Sequence, residues 1–285
     1  MEVSNYSSAE IASARTLLFV PASRPERFAK AAAVGSDVVV IDLEDAVGPD
    51  DKVAARDQAA AWISAGNPAM VRINGCRTPW YEDDVAMVTA LGAPTMLPKT
   101  EDIATVTRLT HACGLRVVAL VETATGVLNA PAVAGVRGVD RLAFGSIDFA
   151  AELGVDPLDR EALAAARSAL VIASAAAGLA GPVDGVTTAL RDTDVLREDV
   201  RHGCRLGFTG KLCIHPAQVA VAHDSLAPTP DDVSWARLVV AGTSPDGSAI
   251  SVDGRMVDAP VVARARRILS DDQRAGASAP THETA

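Results

Sequence analysis

The chain has no C-x-x-C pair, no basic block, no long apolar run and no Gly-rich phosphate loop, and each absence excludes a class of function. Its four cysteines, Cys76, Cys113, Cys204 and Cys213, lie too far apart for a zinc ribbon or a dithiol redox motif. They read as reduced structural thiols, with a single regulatory thiol as the alternative. Twenty-six basic side chains against 36 acidic ones give a net charge of -10. A chain with that balance is a poor partner for nucleic acid or for an anionic membrane. No segment approaches the roughly 20 apolar residues that a membrane span requires. Residues 1–14 are polar and Ser-rich, without the basic start and apolar stretch of a secretory signal. A cytoplasmic location is therefore expected, with residues 1–14 flexible and Asp271 to Ala285 frayed.

What is present is a globular composition, 49% apolar and 22% charged over 285 residues. Short β-branched runs recur along it. They are Leu17–Val20, Val38–Leu43, Met70–Ile73, Thr95–Leu97, Val117–Val121, Arg141–Phe144, Val183–Val186 and Lys211–Ile214. Such runs fit strands buried on both faces. Helical patterns lie between them, at Ala54–Trp62, Asp102–His111, Arg160–Ala177 and Asp194–Leu206. Eight strands alternating with helices predict an α/β fold, a (β/α)8 TIM barrel. A doubly wound open sheet is the alternative, but no G-x-G-x-x-G follows the first strand. The barrel is expected over residues 1–224 and a C-terminal helical extension over residues 225–285. That extension contains a helix from Val233 to Ala241, a Gly/Ser/Pro turn and a last helix from Pro260.

Barrel active sites lie at the C-terminal ends of the strands, so the residues there are the candidates. The second strand ends in Asp42, Glu44 and Asp45, the third in Arg72 and Asn74, the fourth in Pro98 and Lys99. The fifth ends in Glu122, the sixth leads to Asp148, and the eighth runs into His215 and Pro216. Clustered carboxylates repel unless cations compensate. Arg72 and Lys99 supply two, and a divalent ion is the natural third. Oxygen donors without a His/Cys cluster point to Mg²⁺, with Mn²⁺ as the alternative, and Glu122 and Asp148 are the ligands chosen. One such acid alone reads equally well as a helix cap or an ion-pair partner, and a lone His before Pro is more often structural. Arg24, Arg27 and Lys30 follow the first strand as either a solvated helix face or a phosphate-binding rim.

These residues carry a resemblance. Leu17-Leu18-Phe19-Val20-Pro21-Ala22, Asp42-Leu43-Glu44-Asp45-Ala46-Val47, Lys52 with Ala55-Arg56, and Val71-Arg72-Ile73-Asn74 come first. Leu97-Pro98-Lys99, Val121-Glu122-Thr123-Ala124, Gly145 with Asp148-Phe149, Ile214-His215-Pro216 with Gln218, and Met256-Val257-Asp258 follow. In that order they resemble the citrate lyase β-subunit (CitE-like) family of the HpcH/HpaI aldolase superfamily, which includes malyl-CoA and citramalyl-CoA lyases.

The resemblance implies Mg²⁺ on Glu122 and Asp148, with Arg72 on the thioester carbonyl or substrate carboxylate and Glu44 and Asp45 behind it. It implies CoA phosphates near Arg24, Arg27 and Lys30, and substrate contacts at Pro98, His215 and Pro216. Asp258 would reach a neighbouring subunit's active site, which requires a homotrimer or a multiple of trimers. The activity implied is cleavage or formation of a carboxylated 3-hydroxyacyl-CoA such as citryl-, malyl- or citramalyl-CoA, giving acetyl-CoA or a homologue and a 2-oxoacid. A thioesterase on the same site, or a non-catalytic CoA-binding subunit of a citrate lyase complex, are the alternatives. Lys99 reads as a charge-balancing residue. One departure stands out: many members of the family place Glu immediately before the metal-binding Asp, and this chain has Ile147.

Overall fold

A computed structural model of the chain describes residues 5–243, 250–252 and 255–277. It divides into two compact units, Met1–Ala222 and His223–Ala285. In the first unit the elements run α1 (Ser8–Ser13), β1 (Thr16–Pro21), α2 (Phe28–Ala33), β2 (Val38–Asp42), α3 (Lys52–Ser64), β3 (Met70–Arg72), α4 (Tyr81–Leu91), β4 (Thr95–Leu97), α5 (Ile103–Thr107), β5 (Val117–Val121), α6 (Ala124–Ala134), β6 (Val139–Phe144), α7 (Ser146–Leu153), α8 (Ala164–Ala176), β7 (Val183–Asp184), α9 (Thr193–Leu206) and β8 (Gly210–Cys213). The next helix, α10 (Pro216–Leu226), carries the boundary between the units.

The eight strands form a closed parallel barrel in chain order, as their composition predicts. Leu17 pairs with Val38 on one side of β1 and with Leu212 on the other, which closes the ring. Every residue of β2 and β5 is buried, because helices cover one face of each strand and the barrel interior the other. The interior is filled by Leu17, Val38, Val40, Met70, Met96, Val118, Leu120, Ala143, Val183 and Leu212. It is a packed core, so polar side chains are confined to the two ends.

The N-terminal end is closed by a segment expected to be flexible. Residues 5–14 instead pack: Ile11 and Ala14 join the barrel core, with Tyr6 against it. Their polarity is put to use in caps. Ser7 Oγ accepts from the Glu10 N–H while the Glu10 carboxylate accepts from the Ser7 N–H, a capping box that starts α1. Arg141, only 1% exposed, donates to the carbonyls of Gly181 (2.8 Å), Ile11 (3.2 Å) and Ala14 and to Thr209 Oγ1 (2.7 Å). One guanidinium thereby ties β6, α1 and the start of β8 together. Residues 1–4 lie outside the described residues.

The second unit contains α11 (Pro230–Ala241), the antiparallel hairpin β9 (Ile250–Val252) and β10 (Arg255–Val257), and α12 (Ala259–Ala277). Pro230 and a Thr229–Asp232 capping box start α11. Ala236, Val239, Val257, Val262 and Ala265 form this unit's own core, with Ile268 and Leu269 packed on it. Those two contacts carry α12 into the stretch expected to fray, through Ala277. Residues 278–285 lie outside the described residues. The hairpin was not expected from the sequence; the Gly/Ser/Pro turn read there precedes it and falls largely on residues 244–249, which lie outside the described residues. Among the described residues no helix is long and apolar enough to cross a membrane.

Candidate active site

At the C-terminal end of the barrel, β2 and β3 place Asp42 and Arg72 side by side. Arg72 Nε and Nη2 each donate at 2.7 Å to one Asp42 oxygen, a two-pronged pair that fixes the guanidinium plane. Asp42 is locked in turn by the N–H groups of Glu44 (2.9 Å) and Ala46 (3.3 Å). Arg72 Nη1 lies 3.1 Å from Glu44 and 3.6 Å from Asp45, and the group stacks 4.8 Å over the Phe19 ring. Burial disfavours the charged arginine, but these three acids outweigh it and hold its pKa above the ordinary value.

Glu122 ends β5, is 3% exposed and accepts the Lys99 N–H at 2.8 Å. Burial first, then the Glu44 carboxylate and further on Asp148, push the Glu122 pKa up to about 8. Glu44, buried 2.6 Å from the Lys99 ammonium, is also raised, chiefly by burial. Lys99 Nζ lies 3.7 Å from Asp148 as well, so one cation bridges acids from two strand ends. Burial lowers the Lys99 pKa, yet the Glu44 hydrogen bond and charge outweigh that and raise it. Lys99 is the only non-glycine with positive φ, +47°, among the described residues. That conformation costs about 1–2 kcal/mol and aims its N–H at Glu122. Composition and spacing carry no trace of it.

Asp42, Asp45, Arg72, Glu122, Gly145, Ile147 and Asp148 line one cavity of about 390 Å³, with Phe19, Val186 and Ile214 among its apolar walls. Gly145 has to be glycine, because a Cβ there would lie 2.3 Å from Glu122 Oε2. A second cavity, about 410 Å³, shares Asp45 and is lined by Glu44, Lys52, Asn74, Arg77, Trp80 and Lys99. Lys52 is buried at its base. It donates to the Leu43 and Glu44 carbonyls and to Asn74 Oδ1 at 2.6–2.7 Å. Asn74 is held by Asp84 (2.6 Å), and Asp84 by Arg56 (2.7 Å). The motif residues Lys52 and Arg56 therefore brace the Asp42–Asp45 loop from behind.

The donor set fits a hard divalent cation. Among the described residues no group of three or more His, Cys, Asp or Glu could hold a metal. Mg²⁺, however, commonly takes one or two carboxylates and completes its shell with water and substrate oxygens. Glu122 and Asp148 line one cavity with Asp42 and Asp45, and with Glu44 beside them these acids outnumber the two cations within reach, Arg72 and Lys99.

Other expected site residues are elsewhere. Pro98 is buried and lines neither cavity. His215 Nδ1 accepts the Ala217 N–H at 3.2 Å, a helix-capping bond at the start of α10, where Pro216 is the first residue. Arg24, Arg27 and Lys30 are exposed beyond β1, with Glu26 3.2 Å from Arg24 and 3.9 Å from Arg27. Asp258 belongs to the second unit, where its Oδ1 accepts the Val261 N–H at 3.4 Å, at the start of α12.

Residues 15–216 match the HpcH/HpaI aldolase/citrate lyase family. The chain belongs to that family. It is an enzyme of the aldolase and citrate lyase class. A citrate lyase subunit beta-like protein of Deinococcus radiodurans is 37% identical over 277 residues, covering 90% of this chain and 97% of that one. A (3S)-malyl-CoA thioesterase of Cereibacter sphaeroides is 34% identical, covering 90% and 93%. Among solved structures, CitE from Mycobacterium tuberculosis in complex with magnesium, acetoacetate and coenzyme A superposes with a TM-score of 0.82. Its identity is 34%, with 92% of this chain and 99% of that chain covered.

Proposed function

We propose that this enzyme is a Mg²⁺-dependent carbon–carbon lyase that cleaves, or forms, a carboxylated 3-hydroxyacyl-CoA. Its products are acetyl-CoA or a homologue and a 2-oxoacid. The observation that carries the reading is the pairing, in one cavity, of two carboxylates from separate strand ends, Glu122 and Asp148, with an arginine fixed on three acids. The magnesium and coenzyme A bound by the Mycobacterium tuberculosis protein support the same assignment.

Glu122 and Asp148 would hold Mg²⁺, or Mn²⁺ in its place, and the metal would supply Lewis-acid polarisation of the substrate's hydroxyl and carboxylate oxygens. Arg72 faces the thioester oxygen. As the carbinol hydroxyl gives up its proton to a carboxylate or water of the site, its carbon becomes the carbonyl of the 2-oxoacid and the bond to the acyl α-carbon breaks. The electrons of that bond leave as an acyl-CoA enolate, and the guanidinium stabilises that charge. Because Asp42 grips it at two points, Arg72 needs little reorganisation at that moment. Glu44 and Asp45 set its remaining orientation, and Lys99 holds Glu122 in place through its N–H. Gly145 carries no side-chain cap, so the first N–H groups of α7 are left for the substrate carboxylate. Asp258 of a neighbouring subunit returns a proton to the enolate carbon, or removes it in the condensation direction. Arg24, Arg27 and Lys30 take the CoA phosphates. The active species on this reading is a homotrimer or a multiple of trimers.

Hydrolysis of the thioester on the same site is the second reading, favoured by the malyl-CoA thioesterase relative. Incubation with Mg²⁺ and malyl-, citramalyl- and citryl-CoA, followed by mass spectrometry, separates the two. A 2-oxoacid with acetyl-CoA is the lyase result; free CoA with intact hydroxy acid is the thioesterase result. Mixing Arg72→Ala with Asp258→Ala subunits tests the shared site, since activity returns only if the two residues act across subunits.

A further inference from the structure

Resting on that lyase reading, we propose that Gln218 and Asp199 are positioning residues for the carbon–carbon bond that breaks. Acting together on Thr187, they fix the apolar side of the catalytic cavity without lining it themselves. That side is formed by Val186 beyond β7, Leu212 and Ile214 at the end of β8, and Phe19 of β1. The acids and Arg72 of the same cavity come from the ends of β2, β3 and β5 and from α7.

The apolar side is weakly held by its own backbone. The pairs β1–β2 and β5–β6 each match at five register positions. By contrast, β6 meets β7 only at Ala143 and Val183, and β7 meets β8 only at Val183–Gly210 and Asp184–Lys211. Among the described residues no backbone–backbone hydrogen bond holds residues 186–191. Their position rests on side chains.

Those side chains form a connected line. Lys211 of β8, fully buried, donates to Asp199 Oδ2 of α9 at 2.6 Å, and the Thr187 hydroxyl donates to the same oxygen. Burial alone would raise the Asp199 pKa, but the Lys211 charge and these two hydrogen bonds outweigh it, so the acceptor is a carboxylate. Gln218 of α10, also buried, donates from Nε2 to the carbonyls of Thr187 at 2.8 Å and Ala189 at 3.4 Å. Its Oε1 accepts the Ile214 N–H at 2.9 Å. Thr187 is thus gripped by its side chain from α9 and by its carbonyl from α10, one residue beyond Val186. The same amide sets Ile214 directly. Only a group with both a donor and an acceptor joins the two loops in this way.

Val186 and Ile214 offer the substrate only van der Waals surface, and such surface orients the bond to be broken. A displacement of about 1 Å, even from a change remote from the chemistry, costs about 100-fold. The CoA half binds away from this wall, so the loss falls on kcat rather than on KM.

The test uses the full-length protein with Mg²⁺ and whichever of malyl-, citramalyl- and citryl-CoA the wild type cleaves fastest. Gln218→Met keeps the bulk and removes the bonds to Thr187, Ala189 and Ile214. It is expected to lower kcat about tenfold or more at nearly unchanged KM. Mg²⁺ affinity by calorimetry is expected to stay within about twofold of wild type. Thr187→Val removes only the hydroxyl bond to Asp199 and is expected to lower kcat about threefold. Because both act through Thr187, the double variant is expected to be no worse than Gln218→Met alone. Losses that multiply overturn the shared grip on Thr187. A wild-type kcat per folded molecule in Gln218→Met would make the network structural only and overturns the inference, as does a loss carried wholly by KM. Should Gln218→Met not fold, Gln218→Asn, too short to span both loops, is expected to show the same kcat loss, and a wild-type kcat there overturns the inference. If no thioester is turned over, the lyase reading fails on its own. Amide hydrogen exchange on the metal-free protein then decides the positioning claim. Thr187→Val leaves the Gln218–Ile214 bond itself in place, yet is expected to speed exchange of the Ile214 N–H about threefold or more; an unchanged rate overturns it.

Discussion

The two ends of the barrel handle buried charge in opposite ways. At the N-terminal end a lone arginine, Arg141, is surrounded by neutral acceptors, and its Nε, Nη1 and Nη2 all find one. Nearby, the Asp37 carboxylate accepts the N–H groups of Arg15 and Thr16 at 2.8 Å. At the C-terminal end the acids are crowded. Glu122 and Glu44 are both raised, and Lys99 adopts a left-handed backbone to bridge them. Satisfied polar groups stabilise a fold, whereas under-compensated carboxylates destabilise it until a cation arrives. The lower end is built for stability and the upper end for binding.

Mutation should separate the two ends. Glu122→Gln keeps an acceptor for the Lys99 N–H but removes the charge. It is expected to lower kcat/KM about 1,000-fold without lowering the metal-free melting temperature. A large loss of stability would place Glu122 among the structural groups instead. Arg141→Met leaves the Ile11 and Ala14 carbonyls without their side-chain donor and unties Gly181 and Thr209 from them, and it is expected to destabilise by about 3 kcal/mol or more. Activity per folded molecule should stay within about twofold, read from denaturant melts and assays on the same samples.

The pH dependence sharpens the contrast. With its pKa at about 8, against 4.5 for the ordinary group, Glu122 is protonated at neutral pH in the metal-free protein. Mg²⁺ binding must release that proton, so affinity should rise with pH up to about 8 and then level off. Calorimetry in buffers of different ionisation enthalpy counts the released proton. The sign for stability follows from the same shift. A carboxyl raised in the fold destabilises it progressively as pH climbs from 4.5 toward 8, so the metal-free protein should melt lower at pH 8 than at pH 6 from this group. The smallest effect is at the lower end, where Ser7→Ala removes the cap of α1 and is expected to cost about 1 kcal/mol, with unchanged catalysis.

The strands were legible because a doubly buried strand must be a short, nearly continuous apolar run, and β2 and β5 are that. The helix α6 was not. It is mostly Ala, Gly and Val, with an exposed Leu128 and with Pro131 inside it, which blurs the 3.6-residue period. Its start was there to be found in Thr123, whose side chain accepts the Gly126 N–H at 3.0 Å. The acids at the strand ends could be read because the barrel dictates where strand ends go. Lys99 balances charge as its position suggests, but the reach of its N–H to Glu122 depends on a backbone angle and its ammonium's partner Glu44 lies 55 positions away, and neither leaves a mark in the sequence. The capping bond of His215 and the interior position of Pro98 are likewise properties of packing. The packing of residues 5–14 is hidden in the sequence because a polar surface helix and a flexible tail share a composition, and only Tyr6, Ile11 and Ala14, the residues that meet the core, distinguish them.

Magnesium titration calorimetry at pH 8 on the wild type, Glu122→Gln, Asp148→Asn and Glu44→Gln tests the central assignment most directly. One saturable site is expected in the wild type and in Glu44→Gln, and none in the other two. Undiminished binding to Glu122→Gln or Asp148→Asn would contradict the account.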